Sequence, residues 1–494
     1  MLFRSYSVMT SKGESKRPSY LINRVKQVFP KLVVEKEEMD TSYEKIMGSD
    51  QGKSYLISHL ADGTYAKDVI WWEIASHYEK KTPGILKDLL RIREKRAGNN
   101  SLKKEAAKRL FGDVLYGSVT RFEQYVQCPF AFFAHYGLLL NERQQYEISS
   151  LDHGNLFHQA MEHLSHELEQ RNKNWQDLSE EEAVLLASEC VDAVAERYQG
   201  RKYFQSNRVS FMLKRLKNEV VHSVWAMWHQ MQEGDFVQTY TEKGFRGSDK
   251  EWESMCIPFG EDAKICLNGV IDRVDLCSLP GEELIKIIDY KSSDSQDLLL
   301  AKVYYGLQMQ LLTYLEAAKE MVEKEHKGKE AVPAAMLYYA IKEKNLDWKP
   351  ESEEEYEKRV LDSMKCKGYV NEEPEIIGHL DKSVVNGGEL IPGQKSGVVP
   401  VAVDKKGLLK KNSGTLSTKD FETLIAHTKE KMKECGKAIL DGKIEAIPYV
   451  YEDNDGCTYC PYGSVCGHES KKDGVREMKK MSDDEVWEAL YGDD

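Results

Sequence analysis

Three residues of this chain could do metal-assisted chemistry if folding brings them together. In the run LIKIIDYKSS, Asp289 and Lys291 stand two positions apart. Side chains at i and i+2 of a strand share a face, so a carboxylate and an ammonium project together. The run LNGVIDRVDL supplies Asp272 among apolar neighbours, 17 positions earlier (289 − 272). If these strands pair, two acids and a lysine converge at one end of a small sheet. Hard oxygen ligands of this kind suit Mg2+, which retains waters and takes phosphate oxygens in its remaining positions. The metal would polarise a phosphodiester and lower the pKa of an attacking water, while the lysine would orient that water or offset charge. An Asp-x-Lys strand taken alone more often makes a surface ion pair. Arg273 with Asp275 is read that way, or as holding the hairpin.

A second constellation is CTYCPYGSVC, which spaces its thiols as Cys457-x2-Cys460-x5-Cys466. Three thiolates so close need a fourth ligand to complete a tetrahedral or cubane site. His468 is the local candidate and would make a zinc-knuckle-like unit. Cys128, in RFEQYVQCPFAFF, is the distant one, 329 positions upstream (457 − 128). Cys190, Cys256, Cys266, Cys277, Cys366 and Cys435 are scattered singly and read mostly as small buried hydrophobes. The segment GSDQGKSY, residues 48–55, is not a phosphate-binding P-loop: Met47 stands where the first Gly should be, and no apolar strand leads in. It reads as a polar loop with a helix start. With no such loop, the chain is not expected to hydrolyse ATP alone.

The elements that must position these groups are mixed. From Ser118, Thr120 and Glu123 suggest a capping box opening a helix through RFEQYVQCPFAFFAHY. A second helix runs from Asp152, with Leu156, Ala160, Leu164 and Leu168 at helical spacing, and helical sequence continues to about residue 233. The period then falls to two. Residues 252–259, 264–277 and 284–291 read as strands, the last two joined by the turn SLPGE. A helix at 303–325 and a strand at 334–342 follow; 350–415 reads as irregular surface excursion or hairpin, and 419–441 as a helix.

At 494 residues, 41% hydrophobic and 31% charged, the chain can hold several domains and a sizeable core. Its net charge of −13 disfavours a surface coated in DNA but leaves room for a narrow basic channel. No apolar run approaches the roughly 20 residues that span a membrane, and the N-terminus lacks a signal-peptide core. The expectation is a cytoplasmic protein with no membrane contact.

Four motifs occur in order: GNLFH (154–158), GVIDRVD (269–275), IDYKSS (288–293) and QLLTY (310–314). The set resembles the RecB-type branch of the PD-(D/E)XK nucleases, with a helix histidine, an Asp, an Asp-x-Lys and a helical Gln-x-x-x-Tyr. The resemblance implies His158, Asp272 and Asp289 as metal ligands and Lys291 as the catalytic lysine. It places Gln310 and Tyr314 beside the site, against DNA or Lys291, although Gln308 competes with Gln310. His153, His163 and His166 remain structural. SVTRFEQYVQCPFAFF ahead of these motifs and the cysteine triplet after them resemble the iron–sulfur staple that brackets AddB-type nuclease domains. That resemblance implies Cys128, Cys457, Cys460 and Cys466 as ligands of a 4Fe-4S cluster.

The expected fold is therefore mixed α/β: a restriction-endonuclease-like core with helical surroundings, closed by the four cysteines. Residues 1–115 would be the end of a helicase-like region and 116–494 the nuclease domain, with 350–440 a family-specific excursion. The chain would be the C-terminal part of a longer protein. The AddB-type family implies an Mg2+-dependent exonuclease trimming the 5′-terminated strand at single-stranded DNA ends. It would work as a heterodimer with an AddA-type helicase–nuclease in double-strand-break repair and recombination. Two alternatives are a Cas4-like iron–sulfur nuclease, which is far shorter, and a DNA-binding scaffold with a zinc-bound tail. The second is disfavoured because Asp272, Asp289 and Lys291 are all present.

Overall fold

The computed structural model describes residues 20–31, 49–62, 68–96, 101–141, 150–199, 207–246, 252–291, 297–341, 352–468 and 474–492. Met47, Gly48, Ser292 and Ser293 lie outside them. The chain divides into two compact units, Met1–Gly98 and Asn99–Asp494. In the first, helices Ser49–Asp62, Val69–Lys81 and Ile85–Arg96 share a small core of Leu56, Leu60, Trp71, Ala75 and Tyr78. The Trp71 indole donates to the Leu56 carbonyl at 2.9 Å, so the one polar atom of that buried ring is satisfied.

The second unit is built on a six-stranded sheet. Its strands are β1 (Val237–Gly244), β2 (Val270–Leu279), β3 (Glu282–Lys291), β4 (Glu330–Ala340), β5 (Lys367–Asn371) and β6 (Thr415–Leu416), in spatial order β6-β5-β4-β3-β2-β1. The hairpin β2–β3 is antiparallel, and β3–β4 is parallel. A parallel pair needs a crossover, and here it includes helix α5 (Gln310–Glu325). β3 and β4 are nearly continuous apolar runs because both of their faces are covered.

One face packs against α5, α1 (Val119–Gln127) and α6 (Thr418–Leu440). Ile285, Ile287 and Met336 of the sheet meet Phe122, Leu311, Leu315 and Phe421 there. The other face packs against α2 (Ser150–Gln170), α3 (Glu180–Gln199) and α4 (Asn207–Gln232), where Leu284, Ile288 and Tyr339 meet Leu164, Leu186 and Val224. The mixed α/β expectation is met.

Several local expectations are corrected. The helix expected to run through Cys128 breaks there: Cys128 is extended (φ −162, ψ 117) between α1 and a short helix opened by Pro129. Proline disfavours α geometry in the residue before it, which explains the break. α1 begins after Ser118, and the Glu123 carboxylate reaches the amides of Met309 and Gln310, so no Thr120–Glu123 capping box forms. The strand expected over 264–277 is two strands, Lys264–Leu267 and β2, separated at Asn268–Gly269. The helix expected at 303–325 is Leu300–Tyr304, a turn, and then α5.

The segment 350–415 is more than surface excursion, because β5 and β6 from it complete the main sheet. Gly368 allows this: a Cβ there would lie 2.3 Å from the Met336 carbonyl oxygen, at φ +137. Cys256 and Cys266 are not isolated hydrophobes. They face each other across an antiparallel pair and form a disulfide.

Arg273 and Asp275 are not a surface pair either; they are 1% and 0% exposed. Arg273 Nε and Nη2 meet the two Asp275 oxygens at 2.7 and 2.9 Å, Lys286 Nζ joins at 2.8 Å, and the guanidinium lies over Trp175. Burial alone would raise the Asp275 carboxyl, but the two cations outweigh it and hold it below the usual range.

Candidate active site

The site is a row across the sheet. Thr241 pairs with Arg273 and Lys243 with Ile271, which sets Glu242 of β1 opposite Asp272 of β2. Arg273 pairs with Ile288, so one step further along the hairpin Asp272 stands opposite Asp289 of β3. Asp289 in turn pairs with Tyr338 of β4. Three carboxylates thus stand side by side on neighbouring strands, where side chains of one row are close neighbours.

Neither β1 nor Glu242 is among the features that the sequence reading picks out. The strand's sequence, VQTYTEKG, has the β-branched and aromatic residues that favour strands, and that is the signal available. Glu242 adopts φ +46, a left-handed conformation uncommon outside glycine and asparagine. Such strained backbone persists where surrounding structure enforces it.

From the opposite helical layer, α2 brings in His158. Its Nδ1 lies 2.8 Å from Glu242 Oε1 and 3.6 Å from Asp272 Oδ1. One ligand atom each from His158, Glu242 and Asp272 gather within 4.8 Å of one another, the only such three-ligand group among the described residues. Asp272 and Asp289 are 8% and 2% exposed. Burial, and then the charge of Asp289, pushes the Asp272 carboxyl well above the usual carboxylate range; burial also raises Asp289 despite the adjoining Lys291. Burial works against charge on His158, but Glu242, Asp272 and Asp289 outweigh it and lift its pKa to about 9. Crowded, desolvated carboxylates with an imidazole beside them are a donor set that a divalent cation would relieve.

On the other side of Asp289 stands Lys291, its Nζ 2.5 Å from Asp289 Oδ2. The same ammonium donates to Gln310 Oε1 at 2.9 Å and lies over the Tyr338 ring. Gln310 Nε2 donates to Tyr314 Oη at 3.0 Å. Gln310 and Tyr314 are one turn apart on α5, with Gln310 touching Lys291 directly and Tyr314 touching Gln310. Gln308 points elsewhere, to Asp297 and Leu299. Gly269 leaves room for this corner: a Cβ there would lie 2.8 Å from the Phe245 ring and 3.3 Å from that of Tyr314.

The cysteines gather at the far end of α1. Cys128 is buried against Ala131, Ala134 and Tyr462, with Cys460 beside them. Burial, then Asp455 and the nearby Cys128, Cys460 and Cys466, push the Cys457 thiol up to about 11. The tail is tied on by Tyr462, whose hydroxyl meets His135 Nδ1 at 2.7 Å and donates to the Leu140 carbonyl. Arg476 donates to the Val126, Gln127 and Ile447 carbonyls, a cation at the C-terminal end of α1. No three of the four sulfurs lie within 4.8 Å of one another.

A mixed sheet that ends in a carboxylate row and an Asp-x-Lys strand, flanked by helices, defines a metal-dependent nuclease core. The chain belongs to the PD-(D/E)XK nuclease superfamily, whose family model matches residues 117–467. It is similar to the B subunit of the ATP-dependent helicase/deoxyribonuclease of Lachnoclostridium phytofermentans, with 34% identity over 100% of this chain and 42% of the relative. The proteins of that name from Clostridium perfringens and Alkaliphilus metalliredigens are 31% and 29% identical, over 98% and 99% of this chain and 42% of each relative. The chain thus spans about two fifths of the length of the curated relatives it matches.

Proposed function

We propose that this chain is the nuclease-bearing part of a B-type subunit of an ATP-dependent helicase–nuclease, hydrolysing DNA phosphodiesters with Mg2+. The observation that carries the reading is the row Glu242–Asp272–Asp289 with His158 at one end and Lys291 at the other. His158, Asp272 and Asp289 would hold the cation, and Glu242 extends the set. A bound divalent cation supplies Lewis acidity toward the phosphoryl oxygen and lowers the pKa of a coordinated water. Lys291, fixed between Asp289 and Gln310, orients the attacking water and offsets charge on the phosphate. Tyr314 fixes the Gln310 amide.

Cys128, Cys457, Cys460 and Cys466 would hold a 4Fe-4S cluster, a reading supported by the packing of Cys460 against the cluster of Cys128, Ala131, Ala134 and Tyr462. The partner is an AddA-type helicase–nuclease, in keeping with the relatives' name as a subunit, and the setting is cytoplasmic double-strand-break repair. In that assembly the site trims the 5′-terminated strand. Among the described residues no helix is long and apolar enough to cross a membrane. Residues 1–115 are the end of a helicase-like region and 116–494 the nuclease domain.

Linear DNA incubated with the complex and Mg2+, with the partner's nuclease inactivated, tests the proposal. Cleavage should start at strand ends, weaken with salt and ignore base sequence, because phosphate contacts and stacking carry no sequence information. Parental digestion by Asp289→Ala would refute the site.

A further inference from the structure

Glu123 belongs to α1, five residues before Cys128 (128 − 123), yet its carboxylate serves a different helix. Its Oε1 accepts the Met309 amide at 2.6 Å and the Gln310 amide at 3.2 Å. These are the opening amides of α5, where the N-cap residue, Met309, offers no side-chain cap of its own. The first amides of a helix have no intrahelical acceptor, so a carboxylate from another element both satisfies them and complements the helix dipole. Gln310, the first helical residue and the second amide so held, donates its side-chain amide to Tyr314 and accepts the Lys291 ammonium. Burial raises the Glu123 carboxyl to about 7, against the two amides and Lys291.

We propose that Glu123 is a positioning residue for Lys291, acting through the first turn of α5 and the Gln310 side chain. Its hydrogen bonds go to the helix amides, and the Gln310 side chain carries their effect on to the lysine. A displacement of about 1 Å at a reacting group can lower a rate by ~100-fold, so the anchoring of this turn governs catalysis more than DNA binding. The inference rests on the proposed nuclease reaction.

Three substitutions in the native complex, with the partner's nuclease inactivated, test it by the rate of linear-DNA cleavage with Mg2+. Glu123→Gln keeps an acceptor oxygen at the same reach and should stay within about threefold of the parental kcat. Glu123→Asp keeps the charge but retracts it by one methylene, and should lose about tenfold to a hundredfold in kcat with KM for DNA ends little changed. Combined with Gln310→Ala, Glu123→Asp should add nothing, because residues acting in series are not additive.

Equal kcat for Glu123→Asp and the parent, at equal iron content, overturns the inference. So does a double variant whose loss is the product of the single losses, and so does a Glu123→Gln variant as impaired as Glu123→Asp. Asp289→Ala separates this from the underlying reading. If it cleaves at the parental rate, the nuclease site itself is wrongly assigned; if it is inactive while Glu123→Asp is fully active, only the role of Glu123 falls.

Discussion

Asp272 accepts the backbone amide of Tyr290 at 2.7 Å, and Tyr290 is the residue between Asp289 and Lys291. One carboxylate therefore faces the metal-ligand group with one oxygen and pins the Asp-x-Lys strand with the other. The two duties can be separated by substitution. Asp272→Asn keeps an acceptor for the Tyr290 amide but removes a charge that burial and Asp289 make costly. It should abolish Mg2+-dependent cleavage while raising the melting temperature of the metal-free protein. Asp272→Ala should be equally inactive and less stable than Asp272→Asn by about 1–3 kcal/mol, the cost of an unsatisfied buried amide. Thermal melts of the two variants without metal check this; equal stability would show that the amide contact contributes nothing.

Proton and metal compete at this site. The raised pKa of His158, about 9 against 6.5, means that its contribution to the metal-free fold is complete below pH 6.5 and is lost as pH rises through about 9. Asp272 and Asp289 are raised too, so the same sign applies to them: protonation favours the metal-free fold. A metal ligand must be deprotonated. Apparent Mg2+ affinity should therefore climb between pH 6.5 and 9, as should the thermal stabilisation that Mg2+ confers. A Mg2+ titration flat across that range would contradict it.

Cys128 and Cys457 stand 329 positions apart (457 − 128), so a cluster joining them closes most of the nuclease region into a loop. Crosslinks over loops of this length restrict the unfolded chain by about 4–5 kcal/mol in the entropy model for disulfides. Cys128→Ala should lose iron and protease resistance as severely as Cys460→Ala, and His468→Ala should retain both. Iron and zinc content of the purified variants decides: full metal in Cys128→Ala with loss in His468→Ala would make the tail a local zinc knuckle.

The buried triad on the other face makes a contrasting prediction. Removing one partner of a buried ion pair leaves an uncompensated charge and costs about 3–5 kcal/mol. Arg273→Leu should lower stability by that order, moderated by Lys286, which still faces Asp275. Its Mg2+ affinity when folded should stay parental, because the Arg273 guanidinium projects among Trp175, Met227 and Met231, away from the carboxylate row. Denaturant unfolding and Mg2+ titration of the same sample separate the two effects.

Gln310 and Tyr314 enter only through the resemblance to the RecB-type nucleases, whereas Asp272, Asp289 and Lys291 stand out in the sequence because their relations are local, two apart in a strand or one hairpin away. Glu123 misleads for the same reason. Its spacing from Thr120 suggests a local cap, while its acceptor capacity is used by amides some 186 positions away. Glu242 is hidden because the edge strand VQTYTEKG is polar along much of its length and shows little apolar alternation, and its importance depends on register with Asp272. β5 is equally hard to see, because five residues that include Lys367 and Gly368 look like a loop until Met336 is laid against them.

The two charge clusters occupy opposite faces of the same two strands, and this guards the alignment of the sheet. In a strand, a slip of one residue turns every side chain to the other face. Were β2 to slip, Arg273 and Asp275 would turn into the layer of Ile285 and Ile287, Lys286 would lose Asp275, and Val274 and Leu276 would leave the apolar core they fill. A misaligned chain thus forfeits core burial and charge pairing together, so a half-assembled site is also an unstable fold.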